Sequence, residues 1–226
     1  FDIQNSLFFI LLIAFNFSYI SISTLINIFN LPTSPVFDDI QNERYIARKV
    51  QENLIPNSLP NSKKLKITSS YMPHYALGGD YYDYISLGED KFLICIADVS
   101  GKGIKSSLLM SKASSLYRCL SKTNFSAAEL LNILNSEICE TTSRGMFVTM
   151  LVGVYDQNKK ELLLSNAGHE PPLIHNSDGN FNNFEEAGPP LGIAPKFKFS
   201  EQLITFAKSS MYIFTDGITE IRDQQG

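Results

Sequence analysis

Three aspartates, each beside glycine or another turn-forming residue, are the side chains of this 226-residue chain best suited to hold a metal ion. Asp80 lies in GGDYYD, Asp98 in ADVSGKG and Asp216 in FTDGITE, each next to an apolar run that we interpret as a strand. A strand end holds a carboxylate rigidly, and glycines let backbone and solvent approach it. One such aspartate alone would indicate an ordinary turn. Three that converge would form an oxygen-rich site for Mg²⁺ or Mn²⁺.

Other ligand classes fit the sequence less well. The three cysteines, Cys95, Cys119 and Cys139, lie in apolar or helical stretches without CxxC spacing, which indicates reduced thiols of a cytosolic domain. The Gly101-Lys102-Gly103 segment lacks the spacing of a nucleotide-binding P-loop. The net charge of -4 argues against a nucleic-acid partner, because neutralising phosphates requires clustered Lys and Arg.

Five motifs occur in an order that resembles a known family. They are GGDYYD, ADVSGKG, NAGHEPPLI, GPPLGI and FTDGITE, and the preceding stretch ARKVQENLIPNSLP resembles the family's opening segment. From about Ile46 onward the chain resembles the SpoIIE/RsbU family of bacterial phosphatases, a branch of the type-2C metal-dependent protein serine/threonine phosphatases. Each motif is weak alone, but the five in this order are specific as a set.

The resemblance implies a β-sandwich flanked by helices that binds two Mn²⁺ or Mg²⁺ ions, which activate a bridging water. Carried over by position, Asp98 would bridge both ions, Asp80 and the Val99 carbonyl would complete the shell of one, and Asp216 would serve the other. Paired divalent ions suit phosphoryl transfer to water, so no protein nucleophile is needed. The implied substrate is phosphoserine or phosphothreonine on a STAS-type anti-sigma-factor antagonist, with control of transcription as the output.

Two features depart from the family pattern. Ser100 stands where the wider type-2C class has a His taken as general acid, so the leaving-group proton would come from elsewhere, such as solvent. A last Asp expected beyond FTDGITE is not reached, so we expect a domain truncated at its C-terminus. His169 is expected to be a buried structural histidine, with a catalytic role as the alternative. Asp83 is either a partner near Asp80 or an exposed strand residue.

Two other functions compete with the phosphatase interpretation. GGD followed by aromatic residues resembles the signature of diguanylate cyclases, but Tyr81 and Tyr82 replace its Glu-Phe pair and the other two motifs would go unused. A function of another class is a non-catalytic module that binds a phosphoprotein in a signalling complex. The intact Asp80, Asp98 and Asp216 argue against such a module, and a metal titration with a phosphopeptide assay separates the two functions.

The elements that position these residues follow from periodicity and turn signals. Ser126 and Glu129 form a capping box at the start of one of two predicted helices, which lie at 104–120 and 126–142. The predicted strands are 65–72, 81–87, 91–97, 147–155, 161–166, 172–175, 201–206 and 211–215. This order predicts an α+β fold, a layered β-sandwich flanked by helices, and not alternating βαβ units.

The N-terminal residues predict a membrane segment. Residues 6–29 carry no charge and include SLFFILLIAF, so we assign residues 1–30 to a transmembrane helix. The alternative is a buried helix or strand of a truncated sensor domain. We place the phosphatase domain, residues 61–226, on the cytoplasmic side of the cell inner membrane.

Residues 31–60 form a predicted linker helix between these parts. A helix that follows Ser34-Pro35 ends before Pro56 and carries one narrow apolar stripe, formed by Ile40, Ala47, Val50 and Leu54. The stripe suits either a homodimer contact or packing on the neighbouring domain, because two heptads are too few to establish a coiled coil.

Overall fold

The computed structural model describes residues 35–56, 65–73, 76–88, 90–123, 125–142, 145–176, 179–182, 184, 187–206 and 209–219. The chain divides into two compact units, Phe1–Tyr45 and Ile46–Gly226. The helix predicted after Ser34-Pro35 is present as α1 (Pro35–Glu52), whose residues belong to both units. The predicted transmembrane segment, residues 1–30, lies outside the described residues. Among the helices that the structure describes, none has both the length and the apolar character needed to span a membrane.

The apolar stripe of α1 is largely exposed. Val50 is 61% exposed and Ile40 is 43% exposed, whereas Leu54, just after the helix, packs against the core of the second unit. On the polar side, Arg48 and Lys49 both pair with Glu52 at exposed positions. The expected packing on the neighbouring domain is therefore seen at Leu54 but not at Val50.

Within the described residues, the second unit has eight strands and three further helices. The strands are β1 (Tyr81–Gly88), β2 (Lys91–Val99), β3 (Val148–Asp156), β4 (Glu161–Ala167), β5 (Leu173–His175), β6 (Phe181–Asn182), β7 (Gln202–Thr205) and β8 (Ser210–Tyr212). The helices are α2 (Ile104–Leu120), α3 (Ala127–Thr141) and α4 (Asp216–Thr219). A five-stranded antiparallel sheet has the order β1-β2-β3-β4-β7, and a three-stranded sheet has the order β6-β5-β8.

Side chains that alternate along β2 and β3 supply two separate cores on the two faces of the large sheet. Leu93 and Cys95 belong to the core that includes the buried faces of α2 and α3. Phe92 and Ile96 belong to the core that includes Ile174 of β5. This arrangement confirms the predicted sheet with flanking helices, and it explains why β2 and β3 are apolar on both faces.

The structure corrects two predicted strands and the positions of two aspartates relative to the strands. Residues 65–72 are irregular and pair with none of the described strands. Their apolar side chains still contribute to the domain, since Leu65 and Tyr71 pack against the two cores. The predicted strand 211–215 is shorter, since pairing with β5 ends at Tyr212. Asp80 does not end a strand but directly precedes β1, and Asp216 begins the short helix α4.

Candidate metal centre

Antiparallel pairing of β1 with β2 brings Asp80 and Asp98 together. Tyr81, the first residue of β1, pairs with Ala97, so one further step in the same register sets Asp80 opposite Asp98. Side chains directly opposite one another on antiparallel strands have Cβ atoms about 5 Å apart. The two motifs that lie 18 residues apart in the chain therefore meet at one end of the large sheet.

The two carboxyl groups interact strongly. Burial, then the charges of Asp80 and Asp216, raise the pKa of Asp98 to about 7. Burial also raises the pKa of Asp80, although hydrogen bonds from Asp98 and from Thr215, whose hydroxyl lies 3.4 Å from Oδ2, oppose that shift. Two carboxylates this close cannot both be ionised cheaply without a cation, so the metal-free pair shares a proton near neutral pH.

Gly79 leaves space for a backbone oxygen of the site. A Cβ atom at this position would lie 2.8 Å from the Val99 carbonyl oxygen and 3.2 Å from Asp98 Oδ1. Any other residue would therefore push the Asp80 loop away from both oxygens. The Val99 carbonyl, which the family resemblance assigns as a ligand, thus lies beside the carboxylate pair.

All three predicted aspartates line one pocket of about 640 Å³, together with Val99 and His169. In the part of the chain that the structure describes, however, no three His, Cys, Asp or Glu side chains converge closely enough to hold a single ion. Asp216 nevertheless lies near enough for its charge to raise the pKa values of both Asp80 and Asp98.

Ser100 and Phe147 fix the loop that follows Asp98. The Ser100 backbone N–H donates to the Phe147 carbonyl at 3.0 Å, and the Phe147 N–H donates to the Ser100 hydroxyl oxygen at 2.9 Å. The residue that replaces the His of the wider type-2C class therefore has a local structural role.

His169 is buried, as expected, and its contacts join three strands' ends. The Nδ1 atom of His169 lies 2.9 Å from the Thr149 hydroxyl, and that hydroxyl donates to the Asp98 carbonyl oxygen at 3.3 Å. The backbone N–H and C=O of His169 form hydrogen bonds with the Asn166 side chain. Burial lowers the pKa of the imidazole to about 4, against the opposing effects of the Phe214 carbonyl and Asp216. The ring is therefore neutral at physiological pH, which matches the structural role and rules out a cationic one.

Asp83 has neither of the two roles considered for it. It is buried, accepts hydrogen bonds from Arg118 Nε at 2.7 Å and Nη2 at 3.0 Å, and accepts a third from the Tyr81 hydroxyl at 2.6 Å. The two-residue period of β1 places Asp83 and Tyr81 on the same side, towards α2. Asp83 is therefore part of the link between β1 and α2, and its partner Arg118 could not be identified from spacing.

Sequence reasoning missed Gln51, which connects the end of α1 to the metal-centre loop. Its Nε2 donates to the Gly78 carbonyl at 2.8 Å and its Oε1 accepts from the Gly78 N–H at 3.0 Å. Gln51 is only 6% exposed, so these bonds are protected from water. Gln51 is polar and does not belong to the apolar stripe of α1, so no periodic pattern distinguished it.

With this geometry in place, comparisons with known proteins define the relatives of the chain. Phosphoserine phosphatase RsbU of Bacillus subtilis (strain 168) is 31% identical over 190 residues, which cover 83% of this chain and 56% of RsbU. This chain therefore spans about half the length of that relative.

Two solved structures show the same fold. The RsbU and RsbW domains of Rv1364c from Mycobacterium tuberculosis are 26% identical with a TM-score of 0.58, covering 65% of this chain and 41% of that one. The SiaA-PP2C domain of Pseudomonas aeruginosa is 17% identical with a TM-score of 0.68, covering 82% of this chain and 75% of that domain. The second unit thus has the α+β fold of type-2C phosphatases, a β-sheet with flanking helices.

The family relationship rests on a longer match. The family model described as Stage II sporulation protein E (SpoIIE) matches residues 88–226, which is more than half of the chain and includes the motifs around Asp98, His169 and Asp216. This chain belongs to the SpoIIE family.

Proposed function

We propose that this chain contains the catalytic domain of a metal-dependent protein phosphatase that removes phosphate from serine or threonine of a regulatory protein. The observation that supports this function best is the Asp80–Asp98 pair, whose burial and mutual repulsion raise the pKa of Asp98 to about 7. A protein gains nothing in stability from such a pair, but a divalent cation would relieve the repulsion. The similarity to a phosphoserine phosphatase, RsbU, supports the reaction class.

The residues present fit two Mn²⁺ or Mg²⁺ ions. Asp98 would contact both, Asp80 and the Val99 carbonyl would hold one, and Asp216 would hold the other. When bound, such ions lower the pKa of water and offset the charge of the phosphoryl oxygens. Gly79 keeps the loop close to the Val99 carbonyl.

The surrounding residues hold this site without exchanging protons themselves. The neutral His169 maintains the contact between Thr149 and the backbone of Asp98. Because Ser100 stands where the wider type-2C class has a His, the leaving-group proton would come from elsewhere, such as solvent.

The proposed substrate is a phosphorylated STAS-type antagonist of an anti-sigma factor, so the output would be control of transcription by partner switching. The support is similarity to RsbU and to a Mycobacterium tuberculosis protein in which an RsbU domain occurs with an RsbW domain. We further propose that residues 1–30 anchor the chain in the cell inner membrane, that the phosphatase domain is cytoplasmic, and that α1 supports a homodimer.

Hydrolysis of p-nitrophenyl phosphate and of a serine phosphopeptide in millimolar Mn²⁺ tests this function. Asp98→Asn should lower both rates by orders of magnitude, because it removes a charge that both ions need. The matched control is Asp39→Asn at an exposed position of α1, which should keep both rates. Tight binding of the phosphopeptide without hydrolysis by the wild-type chain would instead identify a non-catalytic binding module.

A further inference from the structure

Helix α2 presents apolar side chains to solvent at its N-terminal end. Ile104 is 58% exposed and Leu108 is 67% exposed, and a spacing of four residues places them on one face of the helix. Together with Ile218, which is 64% exposed, we name these three residues the mouth patch. Burial of such side chains is favourable, so a partner surface that covers them would gain affinity.

The packing of α2 does not require these apolar residues. The face of α2 that packs on the sheet includes Ser106, Ser107 and Ser114, which are buried. Their hydroxyls donate to backbone carbonyls within or just before the helix, so they need no other partner. The rest of the buried face is apolar, so Ile104 and Leu108 lie outside a contact that is already complete without them; the apolar residues of that face are Leu109, Met110, Ala113 and Tyr117. Folding of this domain does not explain the choice of Ile and Leu at these positions.

The mouth patch adjoins the candidate metal centre. Gly103 and Gly217 both line the pocket that contains the three aspartates, and the next residues in the chain are Ile104 and Ile218. Consecutive Cα atoms are about 3.8 Å apart, so both apolar side chains begin at the edge of the pocket. Exposed lysines, Lys102 and Lys105, flank Ile104 in the chain.

We infer that the mouth patch is the docking surface for the folded phosphoprotein substrate, an inference that rests on the proposed phosphatase function. A phosphoserine that reaches the carboxylate pair necessarily brings the surrounding protein surface over the pocket mouth. That surface buries the mouth patch, while Lys102 and Lys105 complement the negative charge of the phosphate. A second copy of this chain is a poorer occupant, because a lasting contact there would close the pocket to substrate.

Two substrates of different size test the inference. The wild-type chain and the double variant Ile104→Ser, Leu108→Ser are compared on p-nitrophenyl phosphate and on a STAS-domain protein phosphorylated on serine. Binding of the same phosphoprotein is measured by calorimetry with Mn²⁺ present. The kcat/KM for the phosphoprotein should fall by about tenfold relative to that for p-nitrophenyl phosphate, and its Kd should rise correspondingly. Leu203→Ser, at a position 56% exposed on β7, is the matched control and should change neither ratio nor Kd.

Each other outcome overturns the inference. Equal losses on both substrates would place Ile104 and Leu108 in the catalytic site itself. If the ratio of the two kcat/KM values and the Kd are both unchanged, the mouth patch has no role in docking. If that ratio is unchanged but the double variant converts a dimer to a monomer, the patch binds a second copy of this chain. Absence of wild-type turnover of p-nitrophenyl phosphate would refute the proposed function, while the calorimetric comparison would still test the docking surface.

Discussion

At the scale of single residues, the Asp80–Asp98 pair has opposite effects on stability and on function. The pair lies in register at the end of the large sheet, where like charges directly opposite one another are destabilising. The sequence identified both aspartates but did not predict that they lie opposite one another. The strand predicted before Asp80, residues 65–72, is absent, and it is β1, after Asp80, whose pairing with β2 sets the register. Residues that serve a metal ion commonly reduce the stability of the metal-free protein.

Replacing Asp98 should therefore stabilise the metal-free protein. Asp98→Asn removes one of two neighbouring charges while keeping the size of the side chain, so its melting temperature in EDTA should exceed that of the wild type. In millimolar Mn²⁺ the order should reverse, since only the wild type gains stability from the bound ions. Thermal unfolding followed by circular dichroism measures both. A lower melting temperature of Asp98→Asn in EDTA, or an unchanged gain in Mn²⁺, would contradict the paired-carboxylate interpretation.

The same pair gives a pH dependence with a definite sign. In the metal-free protein the pKa of Asp98 is about 7, above its ordinary value of 3.8, so the folded state binds this proton more tightly than the unfolded state. The contribution of Asp98 to stability is therefore present at low pH and is lost as pH rises through 7. His169, whose pKa is lowered to about 4, contributes the opposite slope between about pH 4 and its ordinary value of 6.5.

Comparison with Asp98→Asn cancels the contribution of His169, which titrates in both proteins, and leaves the contribution of the coupled Asp80–Asp98 pair. In EDTA, the stability advantage of the variant over the wild type should grow from about pH 4 to about pH 7 and then level off. Urea unfolding across this range measures the difference. An advantage that is constant with pH would show that the raised pKa of Asp98 is wrong.

At the scale of elements, sequence predicted best where the signal is local. The capping box is present as expected, with Ser126 Oγ accepting from the Glu129 N–H and the Glu129 carboxylate accepting from the Ser126 N–H. Helices α2 and α3 and strands β2 to β4 were predicted within a few residues. Strands β1 and β7, at the edges of the large sheet, were also predicted within one residue at each end. The predicted strand 65–72 is absent, because β propensity without a pairing partner does not form a strand. The two-residue strand β6 is too short to give any periodic signal.

The contact of α1 with the metal-centre loop gives an element-scale prediction. Gln51→Ala removes both hydrogen bonds to Gly78, whose backbone N–H and C=O are partly buried, at a cost of about 1 kcal/mol. The loosened loop also carries Asp80, so Mn²⁺ affinity measured by calorimetry should fall. Val50→Ala, the exposed neighbour on α1, should change stability by less than about 0.5 kcal/mol.

The exposure of Val50 also changes what a substitution in the apolar stripe of α1 should do. Val50 is 61% exposed, so a glutamate at this position would face water and would not be buried in the domain. Val50→Glu should therefore leave unfolding unchanged, and any loss of dimer in sedimentation would show a partner helix. Equal effects of Gln51→Ala and Val50→Ala on Mn²⁺ affinity would mean that α1 does not act on the loop through Gln51.

At the scale of the whole molecule, the sequence predicted the fold and the family but could not identify the substrate or signal. Motif residues near Asp80, Asp98 and Asp216 are constrained by metal chemistry, which any phosphatase of this kind shares. Partner choice depends on surface residues such as Ile104 and Leu108, for which neither periodicity nor spacing gives a signal. The chain also spans only 56% of RsbU, so the arrangement around the catalytic domain in the relative does not transfer by similarity.

The N-terminal segment gives the prediction that concerns the whole chain. The 24 uncharged positions 6–29 would span roughly 36 Å as a helix at 1.5 Å per residue, which exceeds the hydrocarbon thickness of about 30 Å. The full chain should therefore sediment with membranes and resist alkaline extraction, whereas a chain that lacks residues 1–36 should remain in the supernatant. Leu11→Arg combined with Ile13→Arg should also release the chain, because each arginine at a helix centre costs about 2.5–3.5 kcal/mol on insertion. Solubility of the unaltered chain without detergent would contradict a spanning helix and favour the alternative of a truncated sensor domain.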